Sequence, residues 1–268
     1  MSSSDPVVHP QLLAALTALS LSAAAAIRLP SPRGRVATKT DGSPVTPADE
    51  AAEAIIRDGL GRIAPGLPII SEEAAAREVP SVTARTYFLV DPLDGTREFI
   101  EGSDEYTVNI ALVSDGTPIA GVIAAPALGL IWRGIVGRGA ERLEFSSRET
   151  SAPQTIHTRA RPPDELIVMV SRSHLDAPTR AYLDSLPHAR SVACGSSLKF
   201  CRLAEGKADH YPRLGPTHDW DVAAGHAILT AAGGSVNALD GAALAYGSPR
   251  LLIPSFLAWG GPPPTGGR

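Results

Sequence analysis

An apolar stripe at helical spacing runs through the first part of the chain. Leu12, Leu16, Leu19 and Ile27 lie on one face with alanines between them. This spacing predicts a long helix over residues 12–29 that packs on the body of the protein. The stretch also resembles the apolar core of a secretory signal, but the only charge before it is Asp5, whereas a signal requires positive residues there. We therefore expect a packed helix and no transmembrane segment.

Alternating and continuous apolar runs predict an α/β chain in two parts. Short runs predict strands at 67–71, 86–90, 105–113, 118–125 and 130–136. After the polar, proline-containing stretch 137–165, the pattern predicts a strand at 166–171 and helices near 176–186, 196–205 and 221–232. We expect an N-terminal α+β domain over 1–145 and a C-terminal α/β domain over 146–268.

Composition narrows the class of protein. The 268 residues are 44% hydrophobic and 19% charged, which is typical of a folded globular chain. The net charge of -4 excludes the broad cationic surface on which binding of a nucleic acid polymer depends. Two cysteines, Cys194 and Cys201, provide neither a disulfide framework nor a four-cysteine zinc site, so we expect buried thiols without chemistry and a cytoplasmic protein.

Acidic residues follow the apolar strands, and DPLDGT at 91–96 is the sharpest motif. Asp91 and Asp94 are three positions apart across a turn stiffened by proline, so both carboxylates and the Leu93 carbonyl can converge. Oxygen ligands of this kind select hard cations such as Mg²⁺. If Gly95 and Thr96 open a helix, their N–H groups offer a phosphate site at the same place. The alternative is a simple turn with Asx caps.

Three more acids bear on the same hypothesis. Glu72 and Glu73 leave the strand that ends at Ser71, and Asp221 opens an alanine-rich helix, where an acid is also explained by the helix dipole alone. Acids gathered at one place repel each other by kilocalories unless a multivalent cation lies among them. The set therefore predicts a metal site if its members converge.

Five blocks of the sequence carry a resemblance to a known family. They are IISEEA, DPLDGTREFIEGSDEYTVNIALV, SRSH, GSSLKFCRLAEGKADHYPRLGPT and WDVAAGHAILTAAGG, in this order. Together they resemble the lithium-sensitive, magnesium-dependent phosphatases of the inositol monophosphatase superfamily, and most closely the bacterial CysQ-type 3'(2'),5'-bisphosphate nucleotidases. The resemblance runs from about Lys39 to Gly234. It implies a layered α/β/α/β/α sandwich of the inositol monophosphatase and sugar phosphatase type.

The resemblance implies a role for each acid. One metal ion is expected on Glu72, Asp91 and the Leu93 carbonyl, and a second on Asp91, Asp94 and Asp221, with two or three Mg²⁺ per active site. Asp49, acting with the Thr96 hydroxyl, is expected to orient and deprotonate the attacking water, and Glu72 belongs to the same catalytic set. The alternative for Asp49 is a first-turn acid in the helix that begins near Pro47, capped by Thr46.

The second half is expected to supply the substrate pocket. Gly195, Ser196, Ser197 and Lys199 follow a strand and open a helix, an arrangement that suits an anion. The resemblance adds Ser171 and His174, and Arg213 near a 5'-phosphate; a lone histidine after a strand is otherwise a surface or capping residue. The expected substrate contacts are Glu72, Leu93, Asp94, Gly95, Thr96, Ser171, His174, Gly195, Ser196, Lys199, Arg213 and Asp221.

The resemblance implies removal of the 3'-phosphate of adenosine 3',5'-bisphosphate, or of its 5'-phosphosulfate analogue, in sulfur metabolism. An inositol-phosphate or sugar-phosphate monophosphatase is the alternative within the same chemistry, and a metal-dependent or nucleotide-dependent sensor is the alternative outside it. The expected partner is a small nucleotide bisphosphate, and relatives occur as monomers and homodimers. The family analogy also allows peripheral association with the inner face of the inner membrane, for which the chain carries no lipidation motif or polybasic segment.

Overall fold

The helices lie close to where the sequence pattern predicts them, except for the short helix at Glu72–Ala75, which the pattern does not predict. A computed structural model describes residues 9–29, 36–39, 42–78, 82–147, 149–162 and 164–261. Its helices are α1 (Pro10–Arg28), α2 (Pro47–Ile63), α3 (Glu72–Ala75), α4 (Thr96–Glu101), α5 (Ala177–Asp184), α6 (Leu198–Ala204) and α7 (Asp219–Ala231). Thr46 caps α2 as predicted, because its hydroxyl accepts the Ala48 N–H.

Two large sheets organise the strands. The first has the order β10 (Gln154–Ile156), β8 (Gly139–Ser146), β7 (Leu130–Ile135), β6 (Thr117–Ala125), β5 (Thr107–Ser114), β4 (Thr86–Asp94), β3 (Ile69–Ser71), and β9 (Glu149–Thr150) also pairs with β8. The second has the order β12 (Ala189–Cys194), β11 (Leu166–Ser171), β13 (His210–Arg213), β17 (Phe256–Trp259), β15 (Ser235–Ala238). Two short two-stranded sheets complete the set, β1 (Ala37–Thr38) with β2 (Pro44–Val45) and β14 (Thr217–His218) with β16 (Leu252–Ile253).

Strand β4 is apolar on both faces because helices cover both faces of its sheet. Phe88 and Val90 pack into the core formed with α1 and α2, whereas Tyr87 and Leu89 pack into the core formed with α6 and α7. Successive side chains of a strand point to opposite faces. Asp91 is the next residue on the Tyr87 and Leu89 face, so the strand delivers its first carboxylate into the layer between the two sheets.

The predicted sandwich is confirmed. Helices α1 and α2 pack on each other and on the first sheet, and α7 and α6 lie between the sheets, with α7 against β6, β5 and β7 and α6 against β13 and β11. On the far face of the second sheet, Val168 and Val170 pack against Leu183 of α5. The layers thus alternate α/β/α/β/α.

The polar stretch 137–165 differs from the expectation of a simple boundary. It contains β8, β9 and β10, which extend the first sheet through Ile156. A turn at Val136–Arg138 brings β8 back onto β7, and β8 also pairs with β10. The exposed Glu144 and Ser146 alternate along β8 with the buried Leu143 and Phe145. The division of the chain at 145/146 stays a prediction.

Helix α1 has the length and apolar composition of a membrane span, but half of it is buried against the protein. Leu16 and Ile27 lie in the core that α1 shares with α2 and the first sheet. Its apolar stripe is therefore explained by packing, as the spacing predicts.

Candidate active site

The end of β4 places two carboxylates at one edge of the first sheet. Asp91 pairs with Asn109 of β5, and a register shift follows before Asp94 pairs with Thr107. Within the bulge, the Leu93 N–H donates to Asp91 Oδ1 over 3.0 Å. Gly95 then adopts φ 89°, a left-handed conformation that glycine tolerates, and α4 begins at Thr96. The bulge and the turn fix both carboxylates beside the start of a helix.

The start of α7 supplies the third carboxylate. Asp221 Oδ2 accepts hydrogen bonds from the Thr217 hydroxyl over 2.6 Å and from the His218 N–H over 3.0 Å. Asp221 therefore caps its own helix with one oxygen. A carboxylate has two oxygens, so the capping role leaves Oδ1 for a ligand.

Asp91, Asp94 and Asp221 converge. Each offers a carboxylate oxygen within 4.8 Å of the others. Burial raises the pKa of Asp91 well above its ordinary value, with further contributions from the charges of Glu72, Asp94 and Asp221. Burial, followed by the charge of Asp221, raises the pKa of Asp94 to about 6. Three crowded carboxylates fit a divalent cation, which prefers oxygen ligands and removes the repulsion that raises these pKa values.

Glu72 lies close enough to the aspartates to interact with their charge, and it forms an ion pair with Lys39. It lies at the start of α3, next to Ser71, which pairs with Val90 of β4. Lys39 Nζ donates to Glu72 Oε1 over 2.7 Å and to Glu73 Oε1 over 2.6 Å. Burial raises the pKa of Glu72 to about 7, an effect that Lys39 opposes and Asp221 reinforces. Glu72 thus interacts electrostatically with Asp91 and Asp221, but the group of converging carboxylates contains only the three aspartates.

Asp49 lies in the first turn of α2 and contacts Thr96. Its Oδ1 accepts from the Thr96 hydroxyl over 3.0 Å, and its Oδ2 accepts from the N–H and hydroxyl of Thr46. The Thr96 hydroxyl also lies 3.0 Å from the Leu93 carbonyl oxygen. Burial raises the pKa of Asp49, and its hydrogen bonds partly offset this rise. Asp49 therefore caps α2 and also touches the hydroxyl that faces the site.

Buried polar residues of β5 hold Asp94 in place. Asn109 Nδ2 donates to Ser197 Oγ over 2.8 Å and lies 3.3 Å from Asp94 Oδ2, and the Ser197 hydroxyl donates to the same oxygen over 2.8 Å. Ser197 starts α6, so this network joins the acidic group to the segment GSSLK of the other half. Thr107 Oγ1, at 3.4 Å from Asp94 Oδ2, lies on the same face of β5.

The segment GSSLK reaches the cavity through Ser196, Ser197 and Lys199 but not through Gly195. Lys199 Nζ is buried, donates to the carbonyls of Cys194 and Ser196, and lies 5.2 Å from the centre of the Tyr211 ring. The Gly195 N–H instead donates to Glu105 Oε2 over 2.7 Å. That N–H is not free for a substrate anion here, because the Glu105 carboxylate already accepts it.

Cations surround His174 at the other side of the site. Its N–H donates to Ser171 Oγ over 3.1 Å, which fixes the turn after β11. Partial burial lowers the pKa of His174, and the charges of Arg213 and Arg97 lower it further. Arg213 donates to the carbonyls of Gly215 and Pro216. This side of the site is therefore positive, in contrast to the aspartate group.

One cavity of about 530 Å³ joins these groups. That volume fits a small-molecule ligand. Eleven of the expected substrate contacts line it: Glu72, Leu93, Asp94, Gly95, Thr96, Ser171, His174, Ser196, Lys199, Arg213 and Asp221, together with Asp91. Asp49 lies behind Thr96, and Gly195 is absent from the lining.

His218 and Asp219, at the start of α7, have different surroundings. The His218 ring stacks on Trp220, with centroids 4.5 Å apart, and both rings line the cavity. Asp219 is fully buried and accepts the Gly247 N–H over 2.7 Å. Asp219 thus anchors the chain near Gly247 to the start of α7.

Several residues of the site escaped sequence analysis. Lys39, Arg97 and Asn109 carried no assignment, although Lys39 and Arg97 line the cavity and Asn109 contacts Asp94. Thr107 and Asn109 did leave a signal, since two polar residues alternate within the buried run TVNIALV. Cys194 and Cys201 are buried free thiols, as expected.

The sequence matches a known family and several proteins of named activity. The model of the inositol monophosphatase family matches residues 10–261. Over 224 residues, the chain is 45% identical to 3'(2'),5'-bisphosphate nucleotidase CysQ of Shigella flexneri, covering 82% of this chain and 87% of that protein. The same figures hold for the nucleotidase CysQ of Escherichia coli strain K12.

Solved structures share the fold. The crystal structure of CysQ from Bacteroides thetaiotaomicron superimposes with a TM-score of 0.80 at 34% identity, covering 95% of this chain and 98% of that one. The structure of inositol monophosphatase from Anabaena superimposes with a TM-score of 0.73 at 26% identity, covering 94% and 91%. The architecture therefore occurs in solved structures named as CysQ and as inositol monophosphatase.

Proposed function

The chain belongs to the inositol monophosphatase family, and from that premise we propose that it removes the 3'-phosphate of adenosine 3',5'-bisphosphate. The products are AMP and inorganic phosphate, and the 5'-phosphosulfate analogue is a second substrate of the same kind. The named relatives at 45% identity are bisphosphate nucleotidases, which supports a nucleotide over an inositol phosphate. The reaction is hydrolysis of a phosphoric monoester.

The observation that carries the proposal is the pairing of charges within one cavity. The aspartate group suits a phosphate bound through cations, while Lys199, Arg213 and Arg97 provide positive charge beside His174. A monoester occupies the first subsite only. A second phosphate is needed to satisfy the cationic side, and a site built for such a group rejects substrates that lack it.

Mg²⁺ is the cofactor that this donor set fits best. Asp91, Asp94, Asp221, Glu72 and the Leu93 carbonyl are the residues that would hold two or three ions, and Glu72 would exchange its contact with Lys39 for one of them. When bound, such ions polarise the phosphoryl oxygens and lower the pKa of a coordinated water.

Asp49 and Thr96 handle the proton of the attacking water. The Thr96 hydroxyl donates to Asp49, so its oxygen can accept a hydrogen bond from a water in the cavity. Burial raises the pKa of Asp49, which makes the carboxylate a better base. Attack on phosphorus breaks the bond to the 3'-oxygen, and the proton taken from water is then available for phosphate or the leaving group.

Phosphate release from three substrates tests the proposal. Adenosine 3',5'-bisphosphate, inositol 1-phosphate and fructose 1,6-bisphosphate are assayed in parallel, each with Mg²⁺ and with EDTA. We expect magnesium-dependent release with a preference for the nucleotide of about a hundredfold in kcat/KM, which corresponds to about 2.7 kcal/mol. A preference for inositol phosphate would retain the metal chemistry and reject the nucleotide assignment.

Matched variants separate the acidic group from general effects of charge. Asp91→Asn removes one charge with little change of shape, and its Oδ1 can still accept the Leu93 N–H. Asp58→Asn removes an exposed charge that pairs with Arg62. Activity should fall by about a hundredfold or more in the first variant and stay at the wild-type level in the second. Equal activity of the two variants would reject the acidic group as the catalytic centre.

Finer properties follow from the same assignment. We propose a cytoplasmic enzyme of sulfur metabolism whose activity falls in the presence of lithium. The small cavity suits a soluble nucleotide, and a net charge of -4 disfavours binding of a nucleic acid polymer. A sedimentation measurement decides between the monomer and the homodimer.

A further inference from the structure

We propose that Arg97 is a specificity-determining residue that binds the phosphate retained on the product. Arg97 lies at the second position of α4, directly after Thr96, and lines the cavity. This proposal rests on the proposed function, because it assigns the 5'-phosphate of the same substrate to a named side chain.

Helix α4 is tied to the loop that carries His174. The Ser173 hydroxyl donates to Glu98 Oε1 over 2.5 Å, and Glu98 is the residue after Arg97. The link joins the end of β4, where the aspartates lie, to the turn after β11, where Ser171 and His174 lie. Arg97 therefore lies on the helix that connects these two parts of the cavity wall.

Arg97 belongs to a cluster of three cationic residues near His174. After burial, Arg213, Arg97 and Lys199 all act on the imidazole to lower its pKa, and Glu98, which also lines the cavity, opposes them. Three residues from α4, α6 and β13 thus direct their charge to one place in the cavity wall. Bringing cations together costs free energy, and an anion bound among them recovers it.

Arg97 is the member of this cluster whose charged group is free. Lys199 donates to the carbonyls of Cys194 and Ser196, and Arg213 donates to those of Gly215 and Pro216. Within the described part of the chain, the Arg97 guanidinium has no hydrogen-bond or ion-pair partner, and the residue is exposed. A free guanidinium presents two parallel N–H donors to a phosphate.

Kinetics with two substrates test the role. The experiment compares kcat/KM on adenosine 3',5'-bisphosphate and on 3'-AMP for the wild type, Arg97→Gln and Arg97→Lys. The control is Arg180→Gln, because Arg180 is an exposed arginine of α5 outside the cavity. We expect Arg97→Gln to lower the ratio of the two kcat/KM values by about tenfold or more. Arg97→Lys should give an intermediate ratio, and Arg180→Gln the wild-type ratio.

Binding of AMP, which carries the retained phosphate, gives a readout that does not depend on turnover. Calorimetry should show weaker AMP binding by about tenfold in Arg97→Gln and no change in Arg180→Gln. Equal AMP affinity in the wild type and Arg97→Gln, or a ratio of kcat/KM values unchanged by the substitution, overturns the proposal. If the wild type hydrolyses the bisphosphate but Arg97→Gln changes neither the kcat/KM ratio nor the AMP affinity, the role of Arg97 is rejected and the proposed function stands. If the wild type neither hydrolyses the bisphosphate nor binds AMP, the role of Arg97 and the proposed function are both rejected.

Discussion

Lys39 Nζ lies 2.7 Å from Glu72 Oε1 and 2.6 Å from Glu73 Oε1, and its side chain is only 5% exposed. The ammonium is the nearest cation to the acids that follow β3, and its charge also acts on Asp49 and Asp91. The pKa of Lys39 is raised, because the attraction of the two glutamates outweighs burial. Lys39 therefore stabilises the acidic region before any metal ion binds.

Replacing Lys39 by methionine should destabilise the metal-free protein. The substitution leaves Glu72 and Glu73 without their cation in a buried place, and breaking a buried pair in this way costs about 3–5 kcal/mol. Thermal unfolding in EDTA should therefore occur at a lower temperature, and Mg²⁺ should recover more stability in Lys39→Met than in the wild type. Differential scanning calorimetry with and without Mg²⁺ measures both quantities.

The control for Lys39 is Lys207→Met. Lys207 pairs with Glu205, but its side chain is 51% exposed, so its ion pair is screened by water. We expect little change in unfolding temperature for this variant in either buffer. A metal-free Lys39→Met protein as stable as Lys207→Met would contradict the assigned role.

Asp49→Asn should lower kcat by about a hundredfold, because asparagine cannot take a proton from the Thr96 hydroxyl. The amide oxygen can still accept the Thr46 N–H at the start of α2, so the helix cap is largely kept. Glu50→Gln removes a charge from the same turn, where Glu50 lies 3.7 Å from Arg77 in an exposed pair. Steady-state kinetics should show full activity in Glu50→Gln, and full activity in Asp49→Asn would remove Asp49 from the mechanism.

Local chemistry explains why so much of the site was predictable. The strand before Asp91, the turn at Gly95 and the helix starts capped by Thr46 and Asp221 depend on residues close together in sequence. The order of strands and helices follows from the same periodicity. The layered fold and the helices α1 and α2 were therefore expected correctly.

Pairings between distant residues were not predictable in this way. Lys39 meets Glu72 across 33 positions, and Asn109 meets Ser197 across 88. The Gly195 N–H turned out to bind Glu105, 90 positions earlier, and not to face the cavity. Such contacts depend on how two sheets and the helices between them pack, which hydrophobic periodicity does not encode.

Gly121→Ala should destabilise the fold because β6 and α7 approach closely there. A Cβ atom at Gly121 would lie 2.4 Å from the Ala224 carbonyl oxygen, so backbone would have to move. We expect a loss of about 1–3 kcal/mol or more in the free energy of unfolding. Gly61→Ala, in α2 with open space around the glycine, should instead add about 1 kcal/mol. Urea unfolding compares the two, and equal effects would contradict the packing assignment.

His210 should make stability depend on pH. The residue is fully buried between the Tyr182 hydroxyl, at 3.1 Å, and the Ala258 carbonyl, at 2.9 Å, and burial lowers its pKa to about 3. An unfolded histidine titrates near pH 6.5, so below that pH the unfolded state binds a proton that the folded state does not. The folded state then loses about 1.4 kcal/mol per pH unit between about pH 6.5 and pH 3.

His210→Gln removes the titrating group, so comparison with the wild type isolates the pH-dependent contribution of His210 to stability. The variant should be less stable than the wild type at about pH 7.5, because it loses the stacking on Trp259, and the difference should shrink by about 1.4 kcal/mol per unit below about pH 6.5. His157→Gln, at an exposed position, should follow the wild type. A difference for His210→Gln that stays constant with pH would show that His210 is not held neutral.

The product formed from adenosine 3',5'-bisphosphate tests the central claim most directly. The aspartate group is assigned to the 3'-phosphate and the cations near His174 to the 5'-phosphate, so incubation with Mg²⁺ should yield 5'-AMP and one equivalent of phosphate. Chromatography against both standards distinguishes 5'-AMP from 3'-AMP. Formation of 5'-AMP that stops in EDTA is the predicted result; formation of 3'-AMP, or no hydrolysis, would contradict the account.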